Sequence, residues 1–159
     1  MEITPELLAP KSKRFGNFVI DMIVRYLLFM IIGVIAALID PEGFLKWSES
    51  ISRLEEILYS LLVLFLYFLW METITQRTVG KYITGTKVVM ADGSRPGIGV
   101  IFKRTLCRMI PFEVLSFIGE TSLGWHDSLS KTRVVDIKLY NEALQLHNSF
   151  EEIGKTEEI

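Results

Sequence analysis

Two ionisable residues, Asp21 and Arg25, lie inside an apolar stretch, residues 18–39, that is long enough to cross a bilayer, and Arg14 lies one turn before it. A charge near the bilayer centre costs roughly 2.5–3.5 kcal/mol on insertion scales, so an ionisable residue in such a stretch indicates a functional site by default. At about 100° per residue the three side chains share one helical face, and Asp21 and Arg25 have the i,i+4 spacing of an ion pair. The spacing predicts a salt-bridge ladder at a membrane boundary.

This trio has a chemical and a structural interpretation. A carboxyl group whose proton affinity depends on which of two arginines is nearer would suit a proton or ion exchanger. Alternatively, Asp21 and Arg25 lie within the first two turns of the stretch, so they could neutralise each other or reach the lipid headgroups. Both interpretations stay open on the residues alone.

The composition is typical of a small membrane protein with a large water-exposed part. The chain has 159 residues, which is the usual length of one domain, and 50% of them are hydrophobic. The charged fraction of 23% is close to that of an average soluble domain, so we do not expect a fully embedded helix bundle. The single cysteine, Cys107, excludes an internal disulfide and a multi-cysteine metal site, and we expect it to be a small buried hydrophobic residue.

Hydropathy predicts two transmembrane helices, at residues 18–39 and 54–74. The first would extend roughly 33 Å at 1.5 Å per residue, which is enough to cross the hydrocarbon core. Residues 1–17 are predicted to form an amphipathic lead-in on the membrane surface. The acidic linker between the two helices is predicted to place Trp47 in the membrane interface.

Two residues of the second predicted span share a stripe of the helix. Ser60 and Tyr67 are seven residues apart, and their stripe is the natural one to turn toward Asp21 and Arg25. Alternatively, Tyr67 and Trp70 belong to an aromatic belt at the membrane interface. Both alternatives stay open.

The rest of the chain is predicted to contain a small sheet and a surface helix. Two β-type runs, residues 87–90 and 133–139, are expected to pair on one side of the membrane. Between them, residues 99–118 carry basic side chains on one helical face and apolar side chains on the other. This pattern predicts a helix in the headgroup plane, ended by Pro111, rather than a third span. Its basic side chains are Lys103, Arg104 and Arg108.

These elements predict an all-α membrane protein with two transmembrane helices, an interfacial amphipathic helix and a small cytoplasmic β-hairpin-like sheet. Basic segments flank the spans and the linker between them is acidic, so the positive-inside rule places both termini in the cytoplasm and the chain in the cell (inner) membrane. We predict a membrane domain at residues 1–140 and an acidic tail at residues 141–159 that is a frayed helix or a disordered end.

In their order and spacing, these residues resemble the RDD family of membrane proteins, which is named for one arginine and two aspartates. The resemblance covers residues 11–136. The family's arginine before the first span and its aspartate within that span match Arg14 and Asp21, and its His-Asp signature before a short strand matches His126 and Asp127. Further matching positions are Thr78, Val79, Gly80, Lys81, Gly85, Val88, Val89, Gly93, Arg104, Arg108 and Pro111.

The resemblance implies a topology and a broad function. The family is described as taking part in transport of unidentified ligands, with ion or proton exchange suggested for some members. This sequence departs from many relatives in one respect, since only thirteen residues separate Pro111 from Trp125 where others carry a longer apolar segment. The departure argues further against a third span.

The candidate site is a polar network inside the membrane or at its interface. The predicted orientation places six side chains toward the same membrane face. They are Arg14, Asp21, Arg25, Arg104, Arg108 and Asp127. Asp127 is expected to cap a helix or turn, or to pair with Arg104 or Arg108, because the adjacent residues His126 and Asp127 do not converge as a metal or acid–base pair.

The sequence contains no residue set typical of a catalytic, cofactor or metal site, so we expect no enzyme activity, no cofactor and no metal. Two functions remain. One is transport of ions or small solutes by a homo-oligomer, because two spans cannot enclose a path. The other is a non-transporting accessory or scaffold subunit of a membrane complex. Expected partners are a bilayer with anionic headgroups, contacted by the basic residues 103–108, and either further copies or a partner membrane subunit, but not nucleic acid.

Overall fold

The structure, a computed structural model, describes residues 1–110 and 123–157 of the chain. Helices dominate these residues, and two short strands form a small sheet. In chain order the elements are α1 (Lys11–Ile39), α2 (Pro41–Ser50), α3 (Arg53–Thr75), α4 (Val79–Thr84), β1 (Thr86–Met90), α5 (Ile98–Cys107), α6 (Trp125–Ser130), β2 (Thr132–Asp136) and α7 (Ile137–Glu157).

Helices α1 and α3 correspond to the two predicted spans. Both are long and apolar enough to cross a membrane. Helix α1 begins at Lys11 rather than at residue 18, so it contains the basic residues that the sequence placed in a lead-in. Helix α3 begins in a capping box, in which the hydroxyl of Ser52 and the carboxylate of Glu55 each accept a hydrogen bond from the other residue's backbone N–H.

The linker between the two long helices is itself helical. Asp40 caps α2, because its side chain accepts a hydrogen bond of 3.0 Å from the backbone N–H of Gly43. The ring of Trp47 packs edge-on against that of Tyr59 on α3, with 5.8 Å between the ring centroids. Trp47 therefore holds α2 against α3, in addition to being partly exposed.

The predicted pairing of the two β-type runs is confirmed. Strands β1 and β2 are antiparallel, with Thr86 opposite Asp136 and Met90 opposite Thr132. Strand β2 ends at Asp136, three residues earlier than predicted, because the Asp136 side chain accepts a hydrogen bond of 3.0 Å from the backbone N–H of Lys138 and starts α7.

The residues before α1, predicted to be part of an amphipathic lead-in on a membrane surface, pair with the sheet. The backbone N–H of Ala9 donates to the carbonyl of Val134 at 2.9 Å, and the Ala9 side chain is fully buried. Val89, Val135 and Tyr140 form a small apolar core, against which Met1 and Ile3 pack.

Part of the range predicted to form an interfacial helix is helical, since α5 runs from Ile98 to Cys107. Pro111 and the remainder of the predicted helix, as far as residue 118, lie outside the described residues. At the end of the chain, α7 continues from the sheet without a break at residue 140, so the predicted acidic tail begins inside this helix. Cys107, predicted to be buried, is half-buried.

Candidate functional site

The candidate site lies where the first turns of α1 meet the last turns of α3. Helices α4, α5 and α6 pack around this junction, while α2 lies at the opposite end of the two long helices. The site's side chains therefore come from segments that are far apart in sequence, and they meet only in the folded chain.

Gly80 allows α4 to pack directly on α1. A Cβ atom at this position would lie 2.6 Å from the carbonyl oxygen of Asn17 and 3.1 Å from Cγ of Asp21, so a larger residue does not fit. Beside this contact the Asn17 side chain donates to Thr86 at 3.0 Å and accepts from Thr84. The close approach brings the backbone of α4 within reach of Asp21.

Asp21 is a buried hydrogen-bond acceptor that joins α1, α3 and the start of α4. Its Oδ1 accepts from the hydroxyl of Tyr67 at 2.8 Å and from the backbone N–H of Gly80 at 2.9 Å. Its Oδ2 accepts from the hydroxyl of Thr78 at 2.6 Å. Of the two alternatives for Tyr67, the stripe facing Asp21 is therefore the correct one.

The predicted salt-bridge ladder along α1 is wrong. Among the described residues, Asp21 forms no ion pair with Arg14 or Arg25. Arg14 pairs instead with Asp127, 113 residues later in the chain. The physical reason is that three neutral donors already occupy the oxygens of Asp21, whereas the arginine is drawn to a carboxylate brought close by the fold.

Asp127 is fully buried and has both of its predicted roles. Its side chain accepts a hydrogen bond of 3.1 Å from the backbone N–H of Gly124 at the start of α6, and it forms salt bridges with Arg14 and Arg104. Burial alone would raise the pKa of Asp127, but interactions with Arg104, His126 and Arg14 outweigh it and hold the pKa well below its ordinary value. Asp127 is therefore ionised at neutral pH.

Glu72 was not predicted from the sequence as a site residue, although its carboxylate forms salt bridges with three cationic side chains. Its side chain is completely buried near the end of α3. Oε1 of Glu72 lies 2.8 Å from Nζ of Lys81 and 2.8 Å from Nη2 of Arg108, and Oε2 lies 3.2 Å from Nε of Arg104. We use the term ion cluster for Glu72, Asp127 and the arginine and lysine side chains of α1, α4 and α5 and after α5 that form salt bridges with these two carboxylates. They are Arg14, Glu72, Lys81, Arg104, Arg108 and Asp127.

Arg104 connects the two halves of the ion cluster. It donates through Nε to Glu72 and through Nη1 to both Asp127 and Thr132, and it is fully buried. Arg104 therefore faces protein carboxylates and not the lipid headgroups that the sequence predicted for it. Lys103, the preceding residue of α5, is exposed.

Lys81 is a second residue of the ion cluster whose role the sequence did not predict. Burial lowers the pKa of Lys81 to about 8, and the neighbouring charge of Glu72 opposes this shift. At neutral pH the ammonium group stays charged and contributes to neutralising Glu72.

Arg108 uses only part of its guanidinium group for contacts within the ion cluster. Its Nη2 donates to Glu72 at 2.8 Å, and the guanidinium carbon lies 4.1 Å above the ring of Phe68. Its Nη1 is buried and has no hydrogen-bond partner among residues 1–110 and 123–157. The stacking on Phe68 holds the guanidinium in place, while the Nη1 group makes no hydrogen bond to the described residues.

A cavity of about 250 Å³ adjoins the ion cluster, between α1 and α3. Arg25, which makes no ion pair with the described residues, lines it. Cationic side chains surround one part of the cavity, and apolar side chains from both long helices form the other part. Its lining includes Arg14, Asp21, Arg25, Lys81, Arg104 and Arg108, together with Phe18, Met22, Leu64 and Phe68. All the predicted site residues except Asp127 line this cavity, and Asp127 lies behind it in the ion cluster.

The model of the RDD family matches residues 8–137, a range that includes the whole ion cluster and the cavity. This match confirms the resemblance. The chain belongs to the RDD family. No curated protein and no solved structure matches this RDD protein. Of the residues that the resemblance matched to family signatures, Arg14 and Asp127 are paired with each other, while Asp21 has a separate set of neutral partners.

The site of the RDD protein combines two kinds of chemistry. The ion cluster places oppositely charged groups in direct contact, which fixes helices relative to one another. The cavity presents guanidinium groups beside an apolar wall. Within residues 1–110 and 123–157, no group of three or more His, Cys, Asp or Glu side chains could hold a metal ion.

Proposed function

We propose that this RDD protein crosses the cell (inner) membrane twice, through α1 and α3, and takes part as an oligomer in the movement of an ion or a small solute. The observation that carries the proposal is the cavity of about 250 Å³ between these two helices. It has a charged end that could hold a solute and apolar walls formed by the candidate spans. The proposal involves no catalytic step and no cofactor.

The distribution of exposed charges supports an orientation with both termini in the cytoplasm. Lys11 and Lys103, which lie toward the end that holds the ion cluster, are exposed. The opposite end carries α2, whose exposed side chains include Glu42 and Glu49. Positive charge on the cytoplasmic side is the usual arrangement in membrane proteins, and it brings the lysines toward anionic headgroups.

The number of spans supports assembly into an oligomer. Two helices cannot enclose a path across a bilayer, so a solute would need walls from further copies or from a partner subunit. Along α1, large apolar side chains such as Met30, Ile35 and Leu38 are exposed in the single chain. These surfaces are available to lipid and to a second copy.

The ion cluster favours one alternative, in which the chain is an accessory or scaffold subunit. Glu72 and Asp127 are fully buried, and each is bound by at least two cations. Such a cluster holds α1, α3, α5 and α6 together and makes them a rigid platform for a partner protein. In that case the charges would have a purely structural role.

The two functions differ in what the replacement Asp21→Asn should do. The purified protein, reconstituted in vesicles, should carry pH- or ion-linked flux that Asp21→Asn abolishes while the mass of the detergent-purified complex stays the same. Unchanged flux alongside normal assembly would contradict transport. An accessory role would instead appear as absent flux in the wild type, with poor folding or lost partner binding in the variant.

A further inference from the structure

The cavity between α1 and α3 has more cationic than anionic groups in its lining. Five of its described lining residues are arginine or lysine, and they come from α1, α4, α5 and the residue that follows α5. Asp21 is the one carboxylate among the described lining residues. The carboxylates of Glu72 and Asp127 lie in the ion cluster, where they are already bound by Lys81 and the arginines.

Two guanidinium groups in this cavity retain donors that the described protein does not use. Nη1 of Arg108 is buried without a hydrogen-bond partner in the described part of the chain, and the Arg108 side chain is only 11% exposed. Leaving a buried donor unsatisfied costs about 1–3 kcal/mol, and more for a charged group. Arg25 is half-buried and forms no ion pair with the described residues. Nη1 of Arg108 has almost no accessible surface, so an acceptor that enters the cavity would meet Arg25 rather than this buried donor.

Asp21 does not oppose the entry of an anion as strongly as its charge suggests. Its two oxygens accept three hydrogen bonds, from Tyr67, Thr78 and Gly80. These donors offset the negative charge and hold the carboxylate against α3 and α4. The arginines consequently dominate the polar part of the cavity.

The chemistry of the unused donors identifies the class of ligand. Guanidinium groups bind oxyanions through paired, parallel N–H donors, and their planar fork fits the geometry of a phosphate group. The remaining walls, formed by Phe18, Met22, Leu64 and Phe68, are apolar and belong to the two candidate spans. A phosphate group could therefore reach the arginines from water or from a lipid lying between the helices.

We infer that the cavity binds a phosphate group through Arg25 and the cationic side chains around it, either as free phosphate or as the headgroup of an anionic phospholipid. The inference deepens the proposed transport function and rests on it, because it names the ligand class for the same cavity. Arg25 supplies a guanidinium group from α1, and Arg108, which also lines the cavity, is held in position by Phe68 and Glu72.

The test is binding to the purified full chain in a neutral detergent, measured without any flux assay. One arm titrates inorganic phosphate by calorimetry, and the other adds phosphatidylglycerol or phosphatidylcholine and counts bound lipids by native mass spectrometry. The test variant is Arg25→Gln, which removes no ion pair with the described residues and is expected to fold. The matched control is Lys46→Gln, which removes an exposed cation of α2, at the opposite end of the long helices from the ion cluster.

We expect saturable binding in one arm, weakened at least tenfold by Arg25→Gln and unchanged by Lys46→Gln. Phosphate binding indicates the free anion, and retention of phosphatidylglycerol over phosphatidylcholine indicates the headgroup. Absence of binding in both arms, or equal binding by the wild type and Arg25→Gln, would overturn the inference. Binding without flux would count against the proposed transport alone, and flux of another ion without phosphate binding would count against this inference alone.

Discussion

Arg104 and Glu72 form a salt bridge of 3.2 Å inside the protein, and neither side chain is exposed. Through this pair α5 is fixed to the end of α3, and the second carboxylate contact of Arg104, to Asp127, extends the connection to α6. Two buried charges are stable together only when their geometry satisfies their remaining donors and acceptors. Lys81 and Arg108 satisfy the remaining acceptor capacity of the Glu72 carboxylate.

Replacement of Glu72 by Gln should destabilise the protein strongly. The change leaves Lys81, Arg104 and Arg108 without the carboxylate that they share, and breaking a buried ion pair costs about 3–5 kcal/mol. Thermal unfolding of the detergent-purified protein measures the loss. Glu49→Gln, at an exposed position of α2, is the control and should leave the unfolding temperature almost unchanged. Equal effects of the two substitutions would show that the ion cluster does not hold the fold.

Gly80→Ala should separate α4 from α1. The added methyl group would lie 2.6 Å from the backbone oxygen of Asn17, and such overpacking typically costs about 1–3 kcal/mol. Gly99→Ala is the control, since nothing lies within 4 Å of a Cβ atom placed there. We expect a clear fall in the free energy of unfolding for the first variant only. A neutral Gly80→Ala variant would contradict the close packing of the two helices.

Tyr67→Phe should weaken the junction of α1, α3 and α4. The lost hydroxyl donates to Asp21 at 2.8 Å and accepts from the backbone N–H of Val79 at 3.0 Å, so two buried groups lose a partner. The expected cost is about 1–3 kcal/mol in the free energy of unfolding. Tyr26→Phe, at a tyrosine that is 72% exposed, should cost far less. Equal stability of the two phenylalanine variants would contradict this role of the Tyr67 hydroxyl.

Stability should depend on pH through Lys81 in alkaline solution. The folded pKa of Lys81 is about 8, below its ordinary value, so between these values the unfolded chain binds more protons and the contribution of Lys81 to stability rises with pH. The free energy of unfolding of the wild type, relative to Lys81→Met, should therefore increase above pH 8, by at most about 1.4 kcal/mol per pH unit. A difference that stays constant or falls up to pH 10 would contradict this assignment.

Mild acid should leave the Asp127 contribution intact. The pKa of Asp127 is held well below its ordinary value, so its contribution to stability is present above that ordinary value and is lost only as the pH falls through the lower folded pKa. The difference in the free energy of unfolding between the wild type and Asp127→Asn should stay constant from pH 7 to about pH 5. A difference that shrinks over this range would mean that Asp127 takes up a proton earlier than its partners allow.

Cysteine labelling tests the proposed orientation in a Cys107→Ser background. Glu49→Cys and Ser94→Cys introduce cysteines at exposed positions near opposite ends of the long helices. A membrane-impermeant maleimide added outside intact cells should label the first and not the second. Labelling of Ser94→Cys alone would reverse the orientation.

Local sequence patterns predicted most of the elements. The apolar runs identified α1 and α3, and the β-branched residues of the two short runs identified β1 and β2. The seven-residue spacing of Ser60 and Tyr67 correctly suggested that Tyr67 faces Asp21. These features depend on residues that are neighbours in the sequence or are regularly spaced along it, so they can be recognised from a single sequence. Element ends were less accurate, because residues at helix termini are held by caps and by contacts with the sheet.

The partners of the charged residues were not predictable in the same way. Arg14 shares a helical face with Asp21, yet it pairs with Asp127, because the fold brings that carboxylate close while neutral donors occupy Asp21. Glu72 did carry a signal, since it is the one acidic residue between 57 and 75 and lies at the end of an apolar run. Like Asp21, Glu72 is an ionisable residue within an apolar stretch, and such a residue indicates a functional site.

The most direct test of the central claim, that the cavity between α1 and α3 holds the moving solute, is flux in vesicles that contain the wild type or Arg25→Gln. Arg25 lines the cavity and makes no ion pair with the described residues, so its replacement should not disturb the fold. With potassium phosphate or potassium chloride gradients and a dye that reports internal pH, the wild type should show flux above that of protein-free vesicles. Arg25→Gln should lower it at least tenfold with the same unfolding temperature. Equal flux through the wild type and Arg25→Gln would contradict the claim.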